Sequence, residues 1–150
     1  MWQHLTRPVP ERTGGTGSPA RLCYAVRLGI GARRRIDPWL FTLSSYGVDI
    51  GELPVDMAKK LPRYPLIPAT LLGRLAVDRR YQGQGIGEFL LIDALRRSLV
   101  QSAEIAAAAV SVDAIDAGAA KFYQHFGFVP FPSIPGRLFL PMKAVTGLFR

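Results

Sequence analysis

Between Asp78 and Glu88 the chain reads Arg-Arg-Tyr-Gln-Gly-Gln-Gly-Ile-Gly, and the chemistry such a run can do is to hold an anion with its main chain. Gly83, Gly85 and Gly87 leave alternate positions without a Cβ, so the backbone can approach a ligand closely and take up positive φ. An apolar run ending in Leu75-Ala76-Val77-Asp78 precedes the turn, and an amphipathic stretch from Glu88 to Leu99 follows it. An anion there meets unpaired amides and the positive dipole end of a helix, which suits a pyrophosphate. A dinucleotide fold needs Gly-x-Gly-x-x-Gly with an acidic residue further on, and a P-loop needs Gly-Lys-Ser/Thr. The chain has neither. A tight strand-to-helix turn without a ligand is the alternative reading.

Other chemistry is poorly supplied. Cys23 stands alone, which excludes an internal disulfide and is compatible with a reducing cytoplasm. Beside it there are only His4 and His125, so no metal-ligand spacing can be assembled. The first residues lack a signal-peptide pattern, and no apolar run is long enough for a spanning helix, so no membrane partner is expected. The net charge of +8 is uneven: residues 1 to 38 carry seven arginines against Glu11 and Asp37, a net of +5. These arginines read equally well as a polyanion-binding arm and as a solvated one. A second basic group, Lys59, Lys60, Arg63, Arg74, Arg79, Arg80, Arg96 and Arg97, gathers along the sequence around the glycine turn and has the better claim to function.

The elements that must position the turn begin near Trp39. Upstream, residues 1 to 38 are rich in Pro, Gly, Thr and Arg without apolar periodicity and read as an irregular segment, with only Leu22 to Ile30 able to form a strand. Trp39 to Tyr46 reads as a strand and Asp56 to Leu61 as a helical turn. Pro62, Pro65 and Pro68 predict an irregular extended loop. Thr70 to Asp78 is a central strand by its apolar content. In the helix from Glu88 to Leu99, Phe89, Ile92, Leu95 and Leu99, with Leu91, form the apolar stripe, and Asp93 and Arg97 form an i, i+4 pair. Ile105 to Val112 reads as a buried strand. Asp116 is the N-cap of a helix that carries Phe122, Tyr123 and Phe126 and ends at Gly127. Two strands, Phe128 to Phe131 and Arg137 to Met142, close the chain. One domain over residues 39–150 follows, behind the segment 1–38.

Gln82-Gly83-Gln84-Gly85-Ile86-Gly87 resembles the Gln/Arg-x-x-Gly-x-Gly/Ala signature of the GNAT family of N-acetyltransferases. Lys121-Phe122-Tyr123-Gln124-His125-Phe126-Gly127-Phe128 is similar to a second element of that family, Ala-x-x-Phe-Tyr-x-x-x-Gly-Phe. The two occur in the family's order. The resemblance implies an α/β (α+β) GNAT fold, a mixed, mostly antiparallel sheet flanked by helices. It implies acetyl-coenzyme A as cosubstrate, with the pyrophosphate held by Gln82 to Gly87 and neighbouring arginines, Arg79 and Arg80. The pantetheine arm would lie along exposed main-chain groups of Leu75, Ala76 and Val77, one of whose amides would face the thioester oxygen. It also makes Tyr123 the acid that protonates the departing thiolate, against an alternative in which Tyr123 merely packs beside Phe122 and Phe126. Asp113 and Asp116 read as strand-end and cap residues rather than bases.

From Trp39 to about Phe149, and most of all over Leu72 to Gly85, the chain looks like the toxins of toxin–antitoxin pairs within that family. That resemblance implies acetylation of the amino group of aminoacyl-tRNA, a ribbon-helix-helix antitoxin as partner and a cytoplasmic setting, and leaves a homodimer open. A GNAT enzyme for a small amine or a protein amino terminus, and a non-catalytic remnant that binds coenzyme or antitoxin, are the alternatives. The family also has a strand, two helices and a second strand ahead of the part matched here. Residues 1 to 38 are too short and too aperiodic to supply them, which predicts a truncated N-terminal part and a compromised acceptor side.

Overall fold

The computed structural model describes residues 2–4, 23–27 and 38–150. Most of the basic stretch expected over residues 1 to 38 lies outside them. Among the described residues seven strands form one sheet: β1 (Trp2–His4), β2 (Cys23–Arg27), β3 (Trp39–Asp49), β4 (Leu66–Asp78), β5 (Ala109–Asp113), β6 (Val129–Pro130) and β7 (Arg137–Pro141). Along the sheet the order is β2-β3-β4-β5-β7-β6, with β1 on β4. Only β4 and β5 run parallel, so the sheet is mixed and mostly antiparallel. Four α-helices lie among the described residues: α1 (Val55–Ala58), α2 (Ile86–Ile105), α3 (Ala117–His125) and α4 (Met142–Leu148).

Strand alternation sorts the core into two layers. On β7, Leu138 and Leu140 join the cluster that holds Leu90, Leu91 and Leu95 of α2, Ala119 and Tyr123 of α3 and Val145 of α4. Phe139, between them, joins the other cluster, with Val48, Ile67, Ala69 and Phe131, against which Met57 and Ala58 of α1 pack. α2, α3 and α4 thus cover one face of the sheet and α1 the other.

Several sequence readings shift. The turn expected at 56–61 is the four-residue α1, set by Pro54 at its N-cap. The proline loop ends sooner than expected, because β4 begins at Leu66 and includes Pro68. Pro68 is tolerated because its carbonyl accepts from Ala108 N, on the β5 side and ahead of the β4–β5 ladder, which starts at Thr70. Its missing N–H therefore points where no ladder partner is required. α2 runs on to Ile105, where Ala106 takes a left-handed conformation (φ 51°) before β5 begins at Ala109, so Ile105 belongs to the helix. The apolar stripe of α2 is also displaced: Leu90, Leu91, Ala94, Leu95 and Ser98 are buried, while Phe89 is 65% exposed. Val129–Pro130 is a shorter strand than expected, and the chain turns at Met142 into α4, which the periodicity did not show. Asp116 does cap α3, accepting from Ala119 N at 2.8 Å. Asp93 does pair with Arg97, at 3.0 Å.

Candidate active site

The site grows from a fault in the central ladder. Thr42 of β3 stands opposite Arg74 and Leu43 opposite Leu72, so Gly73 is the extra residue of a bulge in β4. The extra residue flips the alternation, which lets Leu72 before it and Leu75 and Val77 after it face the same core. A bulge also raises local twist and bends the strand. Here β4 parts from β5: their pairing covers only Thr70 to Leu72, while β4 continues to Asp78 beside β3.

Beyond the splayed end the backbone is set up for an anion. Asp78 Oδ1 accepts from Arg80 N at 2.9 Å and so caps a 3₁₀ turn over Arg79–Tyr81. Arg80 also donates through its guanidinium to both carboxylate oxygens, at 3.1 and 3.0 Å. These side-chain bonds first, and the backbone bond second, hold the Asp78 carboxyl down to about 2. Gly83 (φ 75°) and Gly85 (φ 76°) then take the left-handed region, and a Cβ on either would project into open space. Gly85 is the N-cap of α2 and has no side chain to satisfy the first-turn amides. A groove of about 320 Å³ opens there, lined by Val77, Tyr81, Gln82, Gly83, Gly85 to Glu88 and Phe122. The space a Cβ would fill, the open first-turn amides and the lack of a capping side chain fit a phosphate group.

Tyr123 is not part of that lining but packs against Phe122, which is. Asp116 starts α3 so that Ala119 and Tyr123, one turn apart, face the core. Tyr123 is fully buried, with Phe122 and Phe128 edge-on at 5.3 and 5.4 Å. Among the described residues its Oη has no hydrogen-bond partner. Desolvation by burial pushes the phenol far above its usual range, so it is a neutral donor at every physiological pH. The packing alternative put Phe122 and Phe126 in the core, but they are only half-buried and the tyrosine is the buried residue. A buried hydroxyl without a partner among the described residues fits a ligand atom that reaches it.

The remaining expected residues divide. Val77, Gln82, Gly83, Gly85, Ile86 and Gly87 line the groove; Leu75, Ala76, Arg79, Arg80, Gln84 and Tyr123 do not. Leu75 and Ala76 are fully buried, and Gln82 Nε2 donates to Val77 O at 3.5 Å. The expectation of exposed main-chain groups on Ala76 and Val77 is corrected, because β1 pairs with them, His4 opposite Ala76 and Gln3 opposite Val77. Arg79 is exposed, while Arg80 is committed to Asp78. The single basic group expected near the turn is parted as well. Lys59, Lys60 and Arg63 lie before the start of β4, and the 13 residues of that strand stand between them and the glycine turn.

Sequence reasoning missed Tyr81, Glu88 and Phe122 as lining residues. Tyr81 meets Trp39 edge-on at 5.6 Å, a packing that its place inside the turn motif could have suggested. Asp113 is bound by Arg137 at 2.7 Å and Asp116 by its cap, so both carboxylates have structural partners, as expected. No group of three or more metal-ligating side chains occurs among the described residues, and none of their helices is long and apolar enough to cross a membrane.

Comparison with known proteins matches residues 50–130 to the acetyltransferase (GNAT) domain. A tRNA-acetylating toxin of Mycobacterium tuberculosis (strain ATCC 25618 / H37Rv) is 37% identical over 108 residues, 72% of this chain and 64% of that protein. The structure of AtaT complexed with acetyl-methionyl-tRNAfMet is similar with a TM-score of 0.69 and 33% identity, over 75% of this chain and 66% of that one. A mutant AtaT toxin bound to the C-terminus of the antitoxin AtaR and acetyl-CoA is similar with a TM-score of 0.60 and 28% identity, over 74% of this chain and 64% of that one. The chain spans 64% of the length of the curated relatives it matches.

Proposed function

Because this chain belongs to the GNAT acetyltransferase family, we propose that residues 39–150 form a transferase that takes acetyl-coenzyme A and acetylates the amino group of an aminoacyl-tRNA. The observation that carries this reading is the pairing of a left-handed glycine turn at the start of α2 with the buried, unpartnered Tyr123 hydroxyl. Acetyl-coenzyme A supplies an activated acyl carbon on a sulfur leaving group. Main-chain amides from Gly83 to Gly87 hold its pyrophosphate, with Gln82, Gln84, Ile86 and the exposed Arg79 around them. Arg80 supports the turn through Asp78 rather than by direct charge.

Further along, once Trp2–His4 has left the edge of β4, an amide of the Leu75–Val77 segment donates to the thioester oxygen. A donor so placed is worth about 2.7–4 kcal/mol to the charge that develops there. The acceptor nitrogen forms its bond to the acyl carbon as the carbon–sulfur bond breaks. Tyr123 donates to the sulfur, and water takes the proton released by the amine. A free thiol titrates near 8.5 and a phenol near 10, so the transfer is uphill in water. Burial that raises the phenol also disfavours a thiolate in the same surroundings.

The similarity to the tRNA-acetylating toxin and to AtaT with its acetylated tRNA supports this acceptor, and the antitoxin-bound AtaT supports an antitoxin as protein partner. An acceptor of this kind places the enzyme in the cytoplasm. The test is mass spectrometry of charged tRNA incubated with acetyl-coenzyme A and the full chain, beside the Gly85→Val variant. Acetylated aminoacyl-tRNA should appear with the wild type and be lost with valine, whose Cβ is strained at φ 76° and occupies the phosphate space. Coenzyme binding without tRNA modification, together with acetylation of a small amine, overturns the tRNA acceptor. Equal coenzyme affinity for both forms overturns the glycine-turn assignment.

A further inference from the structure

The splayed end of β4 is not an open edge. β3 holds one side of Ala76 and Val77, through Leu40 and Trp39. β1 pairs with the same two residues, so it must lie on the other side, and it continues to Asp78 through Trp2. That other side is the one β5 occupies from Thr70 to Leu72 and then leaves. The chain's own tripeptide Trp2–His4 therefore sits in the splay, between the bulge at Gly73 and the glycine turn.

We propose that β1 and the pantetheine arm of acetyl-coenzyme A compete for this edge of β4, so that Trp2–His4 is an autoinhibitory strand which coenzyme must displace. The inference rests on the coenzyme reading given above. An extended peptide and an arm built around two amide groups make the same demand, since each needs main-chain donors and acceptors from one side of a single strand. After β3 the strand has one side left here: Asp78 N donates to Pro38 O on the β3 side, so the alternate residue Val77 presents its main-chain groups to the other side, and two occupants cannot share it.

The strand is suited to yield. Three residues of edge pairing stand at the weak end of local stability. Eighteen residues separate His4 from Cys23, the first residue of β2, so a released β1 stays tethered at high effective concentration and rebinds when coenzyme leaves. The apparent affinity for coenzyme is then the intrinsic affinity reduced by the fraction of molecules whose edge is free.

The experiment is a calorimetric titration of acetyl-coenzyme A into the full chain and into the Trp2→Pro, Gln3→Pro double variant. Alternate residues of an antiparallel strand donate toward the partner, so one of the two prolines removes a donor whichever set faces β4. If β1 occupies the edge nine-tenths of the time, the double variant should bind about tenfold more tightly. Equal binding by both forms overturns the competition and leaves the coenzyme reading intact. Absence of binding by both overturns the coenzyme reading, and the competition with it. Hydrogen exchange on the unmodified chain supplies a readout that needs no variant. Amides within Trp2–His4 should lose protection as coenzyme saturates the protein, and retention of their protection in the saturated protein overturns the proposal.

Discussion

Tyr123 shows how one atom separates a packing role from a chemical one. Its ring belongs to the core and is fully buried, yet its hydroxyl has no hydrogen-bond partner among the described residues. A buried polar group left unpaired costs free energy that its removal returns. Tyr123→Phe should therefore leave thermal stability equal or slightly raised. If Tyr123 donates to the leaving sulfur, the same change should lower turnover by about 10²–10⁴-fold while acetyl-coenzyme A affinity holds. Thermal unfolding and single-turnover rates on one pair of proteins check both signs, and an unchanged rate would return Tyr123 to packing alone. Asp78 and Arg80 illustrate the opposite case, since charged residues beside the groove are committed to shaping the turn.

At the scale of elements, α2 decides how the glycine turn is held. Two overlapping apolar stripes are written into its sequence, and the structure uses the one through Leu90, Leu91, Ala94, Leu95 and Ser98. The small residues on it let the helix approach the sheet, and Ser98 satisfies its own hydroxyl by donating to Ala94 O at 2.8 Å. Leu91→Ala should lower unfolding free energy by about 2–5 kcal/mol. Phe89→Ala, on the exposed side, should stay within about 0.5 kcal/mol of wild type. Denaturant unfolding of the two variants measures the difference, and a large loss for Phe89→Ala would show that the rejected stripe packs after all.

Across the whole molecule, the length of β4 separates two basic surfaces that lie near each other in sequence. Arg79 belongs to the glycine turn, whereas Lys59 and Lys60 follow α1 at the strand's other end. Replacing both lysines by glutamine should leave acetyl-coenzyme A affinity unchanged. If they touch tRNA phosphates, the salt dependence of tRNA binding should fall by roughly one unit of slope for each phosphate no longer neutralised. Arg79→Gln should instead weaken coenzyme binding. Filter binding across a salt series, beside calorimetry, checks the division, and weaker coenzyme binding in the lysine variant would contradict it.

The residue types and spacing from Asp78 to Gly87 by themselves determined the glycine turn, because positive φ and close approach are local properties of glycine. The cap at Asp116 and the Asp93–Arg97 pair were legible for the same reason, since short-range chemistry carries them, while the mixed, mostly antiparallel sheet followed from the resemblance to the GNAT family. Tertiary structure alone decided the rest. The bulge at Gly73 depends on register against β3, and register is set by a partner strand rather than by the strand itself. Which stripe of α2 is buried depends on the sheet it meets. Pro68 sits inside β4 because its missing donor faces away from any ladder partner. The occupation of the β4 edge by Trp2–His4 joins residues more than seventy positions apart, a pairing that no periodicity along the chain encodes.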